Sequence, residues 1–193
     1  MDEPRAEDRE LVTAVLARAP GAFERLVARH QKLVWHLVYR MVQHPEDARD
    51  LSQEVFLRVY QRLGQYRFES ALATWIGRVA FSVSTRHLQR KKLPIVESDA
   101  GDDDEGANWE QVGDSFDLEA ACADHELTGL LGQAIERLPA IQRTLVTLYH
   151  LDDLPVGEIA VITGLPEGTV KSYLFRARAK LREVLEPNIG VAA

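Results

Sequence analysis

The sequence predicts an all-α protein made of two small helical domains joined by a flexible acidic linker. Apolar residues recur at the three- and four-residue spacing of helices, and no segment shows the apolar–polar alternation of a half-buried strand. Charge is also segregated along the 193 residues: residues 11–92 carry 14 basic and 6 acidic side chains, whereas residues 93–126 carry 12 acidic and no basic ones. We therefore expect an acidic connection between a basic domain and one of balanced charge.

Shifts in composition set the predicted domain boundaries. The acidic stretch lacks apolar periodicity and contains Gly101, Gly106 and Gly113, which is typical of a linker rather than a core segment. In chain order we expect an N-terminal extension with a short helix at 1–20, a first domain at 21–92, the linker at 93–123, a second domain at 124–186 and a tail at 187–193. The basic first domain suggests a polyanionic partner, although a solvated helix face explains the same excess of charge.

Composition excludes several classes of protein. The only cysteine, Cys122, cannot form an internal disulfide, so a reducing cytoplasm is the expected setting. The first residues lack the basic and apolar regions of a signal peptide. The best apolar run, Leu33–Tyr39, is far shorter than the roughly 18 residues that a membrane helix needs. Membrane insertion and secretion are therefore not expected.

The first domain and its extension are predicted to form a bundle of about four helices. These cover, in chain order, Leu11–Leu16, Phe23–Met41, Pro45–Leu63 and 70–89. Pro45 follows His44 at a position typical of a helix start, with acidic residues in the first turn. Ser70 is expected to cap the last helix after the break at Gly64–Glu69.

The second domain ends in a predicted helix-turn-helix. Its helices are expected at Leu118–Leu138, Ile141–Tyr149, Val156–Ile162 and 167–185. The last two are joined by a short turn that contains Gly164, which is the signature of this motif. An apolar stripe of the final helix would face the core, and it consists of Val170, Leu174, Ala177 and Leu181. The cations of that helix would face a DNA major groove: Lys171, Arg176, Arg178, Lys180 and Arg182.

These segments resemble a known family. Glu158–Ala160, Gly164–Ser172 and Phe175–Arg178 look like the C-terminal helix-turn-helix of bacterial sigma factors, in the extracytoplasmic-function (ECF) group of the sigma-70 family. Asp47–Phe56 resembles the family's core-polymerase-binding helix, and Thr74–Ala80 resembles its promoter-melting helix. The resemblance implies a non-enzymatic sigma factor without a cofactor or a small-molecule substrate. It would bind core RNA polymerase, recognise the −35 and −10 promoter elements and promote DNA melting.

The resemblance also implies three sets of site residues. The β′ clamp helices of core polymerase would contact Asp47, Asp50, Leu51, Gln53, Glu54 and Phe56. The −10 element would contact Tyr66, Arg67 and Phe68 in a loop and Trp75, Arg78, Ser82, Arg86 and Arg90 on a helix. The −35 element would contact Thr169, Lys171, Ser172, Tyr173, Phe175, Arg176, Arg178 and Lys180. In the first set, acids beside an aromatic residue suit a protein interface better than DNA, although an ordinary solvated helix face has the same composition. In the second set, Trp75 fits a core role as well as a DNA contact.

Three departures from the family pattern leave the base preference open. Ser82 stands where the family usually has Asn, and Tyr66-Arg67-Phe68 replaces the usual Phe-Arg-Gly. Tyr173 stands where many relatives have Arg, so one arginine that could read guanine is missing. The melting role itself does not depend on these positions.

The sequence also bears on further partners and on alternative functions. The resemblance implies contacts with the polymerase β flap and control by an anti-sigma factor in a stress or envelope response. The run Asp102–Glu105 is either a solvated tether or a segment that enters the polymerase channel. Cys122 and His125 lack the further ligands of a metal site, and no phosphate-binding or catalytic motif is present. The remaining alternatives are a regulator that binds operators without polymerase and a degenerate sigma factor that does not initiate.

Overall fold

The computed structural model describes residues 3–91, 93, 95 and 125–189, with side chains at 6–91, 93, 95 and 129–185. Every regular element in this part of the chain is helical, which confirms the predicted all-α class. The structure divides into two compact units. The first holds the helices up to Arg90 together with Val161–Gly164, and the second holds the other helical residues from His125 onward. The predictions for Asp102–Glu105 and Cys122, and most of the predicted linker, lie outside the described residues.

The first unit is a four-helix bundle with a short 3₁₀ turn. Its elements are α1 (Glu3–Leu16), α2 (Ala22–Val42), α3 (Pro45–Arg62), the 3₁₀ turn Leu63–Gln65 and α4 (Leu72–Arg90). Helix α2 packs against α1, α3 and α4, and most of the buried side chains of these helices are apolar. They include Leu26, Leu37, Met41, Leu63 and Ile76. Helix α1 is longer than the predicted Leu11–Leu16 and contributes Val12 and Val15 to this core.

The junction between α2 and α3 follows the predicted stop and start. Gln43 adopts a left-handed conformation with φ 53° and ends α2, its N–H donating to the Tyr39 carbonyl. His44 then caps α3, since its Nδ1 accepts the Asp47 N–H at 3.4 Å, and Pro45 occupies the first helical position. Proline suits this position because the first N–H groups of a helix have no acceptor within the helix.

The start of α4 differs from the prediction. Ser70 does not cap this helix, because α4 begins at Leu72 and the residue at the N-cap is Ala71, whose side chain cannot accept a hydrogen bond. The Leu72 N–H donates instead to Oδ2 of Asp8 on α1, at 3.0 Å. The prediction of Ser70 as a cap was wrong because a buried carboxylate 64 residues away satisfies the helix start.

The second half of the chain contains α5 (His125–Arg137), α6 (Ala140–Val146), a π-helical turn at Thr147–Leu151, α7 (Val156–Thr163) and α8 (Glu167–Ile189). These elements belong to the second unit except at Val161–Gly164. Helix α8 packs against α5 and α6 and extends past the predicted end at 185. Arg143 is buried and its Nη1 donates to the carbonyl oxygens of Glu136 at 3.0 Å and Leu138 at 2.7 Å. A cation thus satisfies the C-terminal carbonyl groups of α5, where the helix dipole favours positive charge.

Two further findings concern membrane-spanning helices and metal-ligand groups in the described part of the chain. None of them is long and apolar enough to span a lipid bilayer. Across the same residues, no three or more His, Cys, Asp and Glu side chains are grouped so that they could hold a metal ion.

Candidate polymerase and nucleic-acid interfaces

An exposed cationic face runs along α4. Arg78, Ser82, Arg86 and Arg90 are all exposed, and their four-residue spacing places them along one side of the helix. The sequence of α4 contains no Asp or Glu. This side of the first unit is therefore positively charged, as a surface that binds phosphates needs to be.

The loop of residues 66–71, which precedes α4, contains an aromatic cluster. The Tyr66 ring is buried and lies 4.6 Å from the Phe68 ring and 5.5 Å from the Trp75 ring, measured between centroids. The Tyr66 hydroxyl donates to the Ser70 carbonyl at 2.6 Å. Phe68 and Trp75 are half-buried, and Arg67 is exposed. Tyr66 thus supports the 66–71 loop from within, while the three neighbouring side chains reach solvent.

Phe68 holds a backbone conformation that glycine adopts most readily. Its φ of 59° lies in the left-handed region, and this is the position where the resembled family usually has Gly. The loop keeps that backbone conformation although the side chain is bulky. Phe68 therefore places an aromatic ring at a backbone position that glycine would adopt most readily.

Helix α3 presents a different set of side chains from the predicted one. Leu51 is buried, Phe56 is half-buried, and Glu54 forms an ion pair with Arg58. Of the six predicted residues, Asp50 and Gln53 are fully exposed. Two apolar side chains that the sequence analysis did not single out share their side of the helix: Leu57 is 57% exposed and Tyr60 is 47% exposed. We call Asp50, Gln53, Leu57 and Tyr60 the α3 stripe.

Asp47 is engaged within its own unit. Its Oδ2 accepts a hydrogen bond from Nζ of Lys91 at 2.6 Å and lies 3.5 Å from Nε2 of His87. The hydrogen bond from Lys91 is the largest of the effects that together hold the pKa of Asp47 below its ordinary value. This carboxylate therefore ties the start of α3 to the end of α4.

The helix-turn-helix has the predicted turn and the predicted buried face. Gly164 has a φ of 74°, and Val170, Leu174, Ala177 and Leu181 are all buried. Eight residues of α8 outside its buried face lie along two lines, each spaced by i, i+4, i+7 and i+11. We call them the first stripe (Thr169, Tyr173, Arg176 and Lys180) and the second stripe (Lys171, Phe175, Arg178 and Arg182). Ser172 lies between the two lines.

The two stripes have different surroundings. In the second stripe, Lys171, Phe175 and Arg178 line a small cavity together with Tyr149 and Val156, and the Arg178 guanidinium lies 5.8 Å from the centre of the Tyr149 ring. In the first stripe, the Arg176 guanidinium lies 5.9 Å from the Tyr173 ring on the same helix. The second stripe is thus partly used for packing within the unit, which the helical spacing in the sequence does not reveal.

Comparison with known proteins identifies both units. The family model described as "Sigma-70 region 2" matches residues 26–93, and the one described as "Sigma-70, region 4" matches residues 128–181. RNA polymerase sigma-H factor of Pseudomonas aeruginosa is 32% identical over 185 residues, covering 94% of this chain and 95% of that protein. ECF RNA polymerase sigma-E factor of Escherichia coli is 35% identical over 187 residues, covering 94% and 96%.

Two solved structures share the fold. CnrH, solved in complex with the cytosolic domain of CnrY, gives a TM-score of 0.62 at 22% identity and covers 93% of this chain and 97% of that one. RpoE of Bartonella quintana, solved in complex with the anti-sigma factor NepR, gives a TM-score of 0.62 at 19% identity and covers 86% and 98%.

Region 2 followed by region 4 defines a transcription initiation factor of the sigma-70 class. The chain belongs to the extracytoplasmic-function group of RNA polymerase sigma factors, as its identity to full-length members over nearly all of its length shows. The family resemblance seen in the sequence is confirmed. The protein acts with RNA polymerase to start transcription at promoters.

Proposed function

We propose a division of this work between three surfaces. The α3 stripe binds core polymerase at its β′ clamp helices. The 66–71 loop and the exposed face of α4 hold the melted −10 strand. The first stripe of α8, together with Ser172, reads the −35 element, while the second unit also contacts the β flap. The observation that carries this proposal is a difference in chemistry between two exposed faces. The α3 stripe is acidic and apolar, whereas the exposed face of α4 carries arginines and no acidic residue.

The α3 stripe has the composition of a protein-binding surface. Leu57 and Tyr60 expose apolar area beside Asp50 and Gln53, and a truncated apolar or aromatic anchor typically costs an interface more than a truncated rim residue does. Asp50 would repel DNA phosphates but can pair with cations on a protein partner. Asp47, by contrast, is already paired with Lys91.

A matched pair of acids tests this surface. Asp50→Asn and Leu57→Ala should each weaken binding of fluorescently labelled sigma factor to core polymerase by about tenfold, within the usual range for interface residues. Asp47→Asn should change this affinity by less than about twofold, because its effect falls on the contact between α3 and α4. Equal losses from Asp47→Asn and Asp50→Asn would contradict the assignment.

The −10 surface combines cations with partly exposed rings. Arg67, Arg78 and Arg86 are exposed and can contact phosphates, while the half-buried rings of Phe68 and Trp75 can stack on unpaired bases. Stacking and base-edge hydrogen bonds offset the few kcal/mol that extruding a base costs. Tyr66 is buried, so we assign it to supporting the loop rather than to contacting DNA.

We place the protein in the cytoplasm, where its polymerase partner works, and we assign all bond-forming chemistry to the polymerase.

The solved complexes of CnrH with CnrY and of RpoE with an anti-sigma factor support control of this chain by an anti-sigma factor as well. A pull-down of the tagged chain from unstressed cells should then recover such an inhibitor. Recovery of polymerase alone would contradict this control.

A further inference from the structure

Helix α1 contacts the segment from the 3₁₀ turn to the start of α4 at three points. Before the 66–71 loop, Leu16 lies beside the 3₁₀ turn, where a Cβ built on Gly64 would be 3.9 Å from Leu16 Cδ2. Within the loop, the Arg9 guanidinium lies 5.2 Å from the centre of the Phe68 ring. After the loop, Asp8 accepts the Leu72 N–H. Helix α1 therefore contacts this segment before, within and after the loop. The helix lies ahead of the region 2 match, which begins at residue 26.

The contact with Asp8 is built into the interior of the unit. The Asp8 side chain is only 10% exposed, and its Oδ1 lies 3.8 Å from Nη2 of Arg29 on α2, which balances part of the buried charge. The carboxylate accepts one of the N–H groups at the start of α4 that have no acceptor within the helix. Negative charge is also favoured at this end of a helix. Asp8 thus fixes where α4 begins and, with it, the end of the loop.

The contact with Arg9 acts on the most constrained residue of the loop. Phe68 adopts the left-handed backbone conformation that L-residues disfavour, and such conformations persist when the surrounding contacts hold them in place. The Tyr66 ring and the Arg9 guanidinium are two such contacts. The Tyr66 contact comes from the loop itself, whereas the Arg9 contact comes from α1.

We propose that α1 is a positioning element for the −10 loop, with Asp8 and Arg9 as its positioning residues. Asp8 holds the junction between the loop and α4, and Arg9 holds the Phe68 ring where it can meet the melted strand. This inference rests on the proposed role of the loop in −10 binding. Helix α1 would then be a determinant of promoter opening that lies outside both matched regions. The proposed function assigns α1 no contact with core polymerase.

Promoter opening with reconstituted holoenzyme tests the inference. In the full chain, Asp8→Ala should lower the permanganate reactivity of unpaired −10 thymines about five- to tenfold, the factor that loss of one helix cap converts to. Arg9→Ala should lower it about two- to fivefold, the factor for one exposed cation–π contact. Core affinity should stay within about twofold of the wild type, because the α3 stripe is untouched. Asp8→Asn should recover most of the opening, since its amide oxygen can accept the same hydrogen bond.

Glu7→Ala is the matched control. Glu7 lies on the same helix, is exposed and pairs with the same Arg29 at 3.0 Å, but has no described contact with the loop. We expect it to open promoters as the wild type does. Wild-type opening by Asp8→Ala, or a loss of core affinity that parallels the loss of opening, would overturn the inference alone. Failure of the wild-type chain itself to open any promoter would overturn the proposed function together with it.

Discussion

Asp47 shows that a residue can match a family motif and still be used inside its own unit. In the sequence it belongs to the acidic set of the polymerase-binding helix, and the spacing of that set gives no reason to separate it from Asp50. In the structure Asp47 pairs with Lys91, 44 residues further along the chain, whereas Asp50 is exposed. The difference depends on how the end of α4 meets the start of α3, which is a tertiary contact.

Two histidines, the buried His30 and the half-buried His150, make stability depend on pH. Burial is the main cause that lowers the pKa of His30 in the first unit and the pKa of His150 in the second, and Arg178 helps to lower the pKa of His150 to about 4. In the unfolded chain an imidazole has a pKa near 6.5. Below that pH the unfolded state binds more protons than the folded state. The free energy of unfolding should therefore fall as the pH drops from about 7 towards 4.

Amide hydrogen exchange can follow the two units separately. We expect protection in each unit to decrease between pH 7 and pH 5 after correction for the intrinsic exchange rates. His150→Gln should flatten this dependence in the second unit only, and His30→Gln should flatten it in the first only. An unchanged dependence in both variants would show that these imidazoles do not govern the acid sensitivity.

At the level of elements, most helices were predictable because their apolar spacing and their breakers act locally. Pro45 and Gly164 mark real boundaries, and all four predicted core residues of α8 are buried. The start of α4 was not predictable, because its cap comes from Asp8 through a contact across 64 residues. The length of α1 was missed for a similar reason, since it is stabilised by packing on α2.

The sequence predicts candidate site helices but not which helix faces are available. The motifs predict α3, α4 and α8 as the functional helices, and the matched family regions overlap all three. Packing decides which side chains remain available to a partner. Tyr66 is buried, Arg178 lies over Tyr149, and Leu57 is exposed although leucine is apolar. Helical spacing alone does not distinguish these cases.

Two glycines near the turn of the helix-turn-helix should respond in opposite ways to alanine. A Cβ meets no atom within 4 Å at either Gly164 or Gly168, so only the backbone conformation differs. Gly164→Ala should destabilise the helix-turn-helix by about 1–2 kcal/mol because the φ of Gly164 is positive. Gly168→Ala should stabilise it by up to about 1 kcal/mol because alanine favours the helix. Urea unfolding followed by circular dichroism measures both, and effects of the same sign would contradict this account of the turn.

The two stripes of α8 predict different consequences for two arginines. Arg176→Ala should weaken holoenzyme binding to −35 DNA about tenfold or more, in the range of one good base contact, or lower the salt slope by about one if it contacts a phosphate. Arg178→Ala should chiefly lower the melting temperature of the second unit, because its guanidinium packs on Tyr149. Electrophoretic mobility shifts at several salt concentrations, with thermal melts of each variant, separate the two. The reverse pattern would exchange the roles of the stripes.

For the whole molecule, we expect both units to read promoter DNA only when the chain is bound to polymerase. The first unit carries the proposed polymerase surface and a cationic face on α4, and the C-terminal part of the chain carries a helix-turn-helix. Promoter choice should therefore depend on core polymerase being present, which separates a sigma factor from a regulator that binds operators by itself.

The most direct measurement is promoter-dependent transcription on a library of genomic fragments, with the purified chain added to sigma-free core polymerase. We predict discrete new start sites that share a −35 and a −10 motif, and these motifs would reveal what Ser82 and Tyr173 read. No initiation with core polymerase, combined with binding of duplex DNA by the chain alone, would contradict the account.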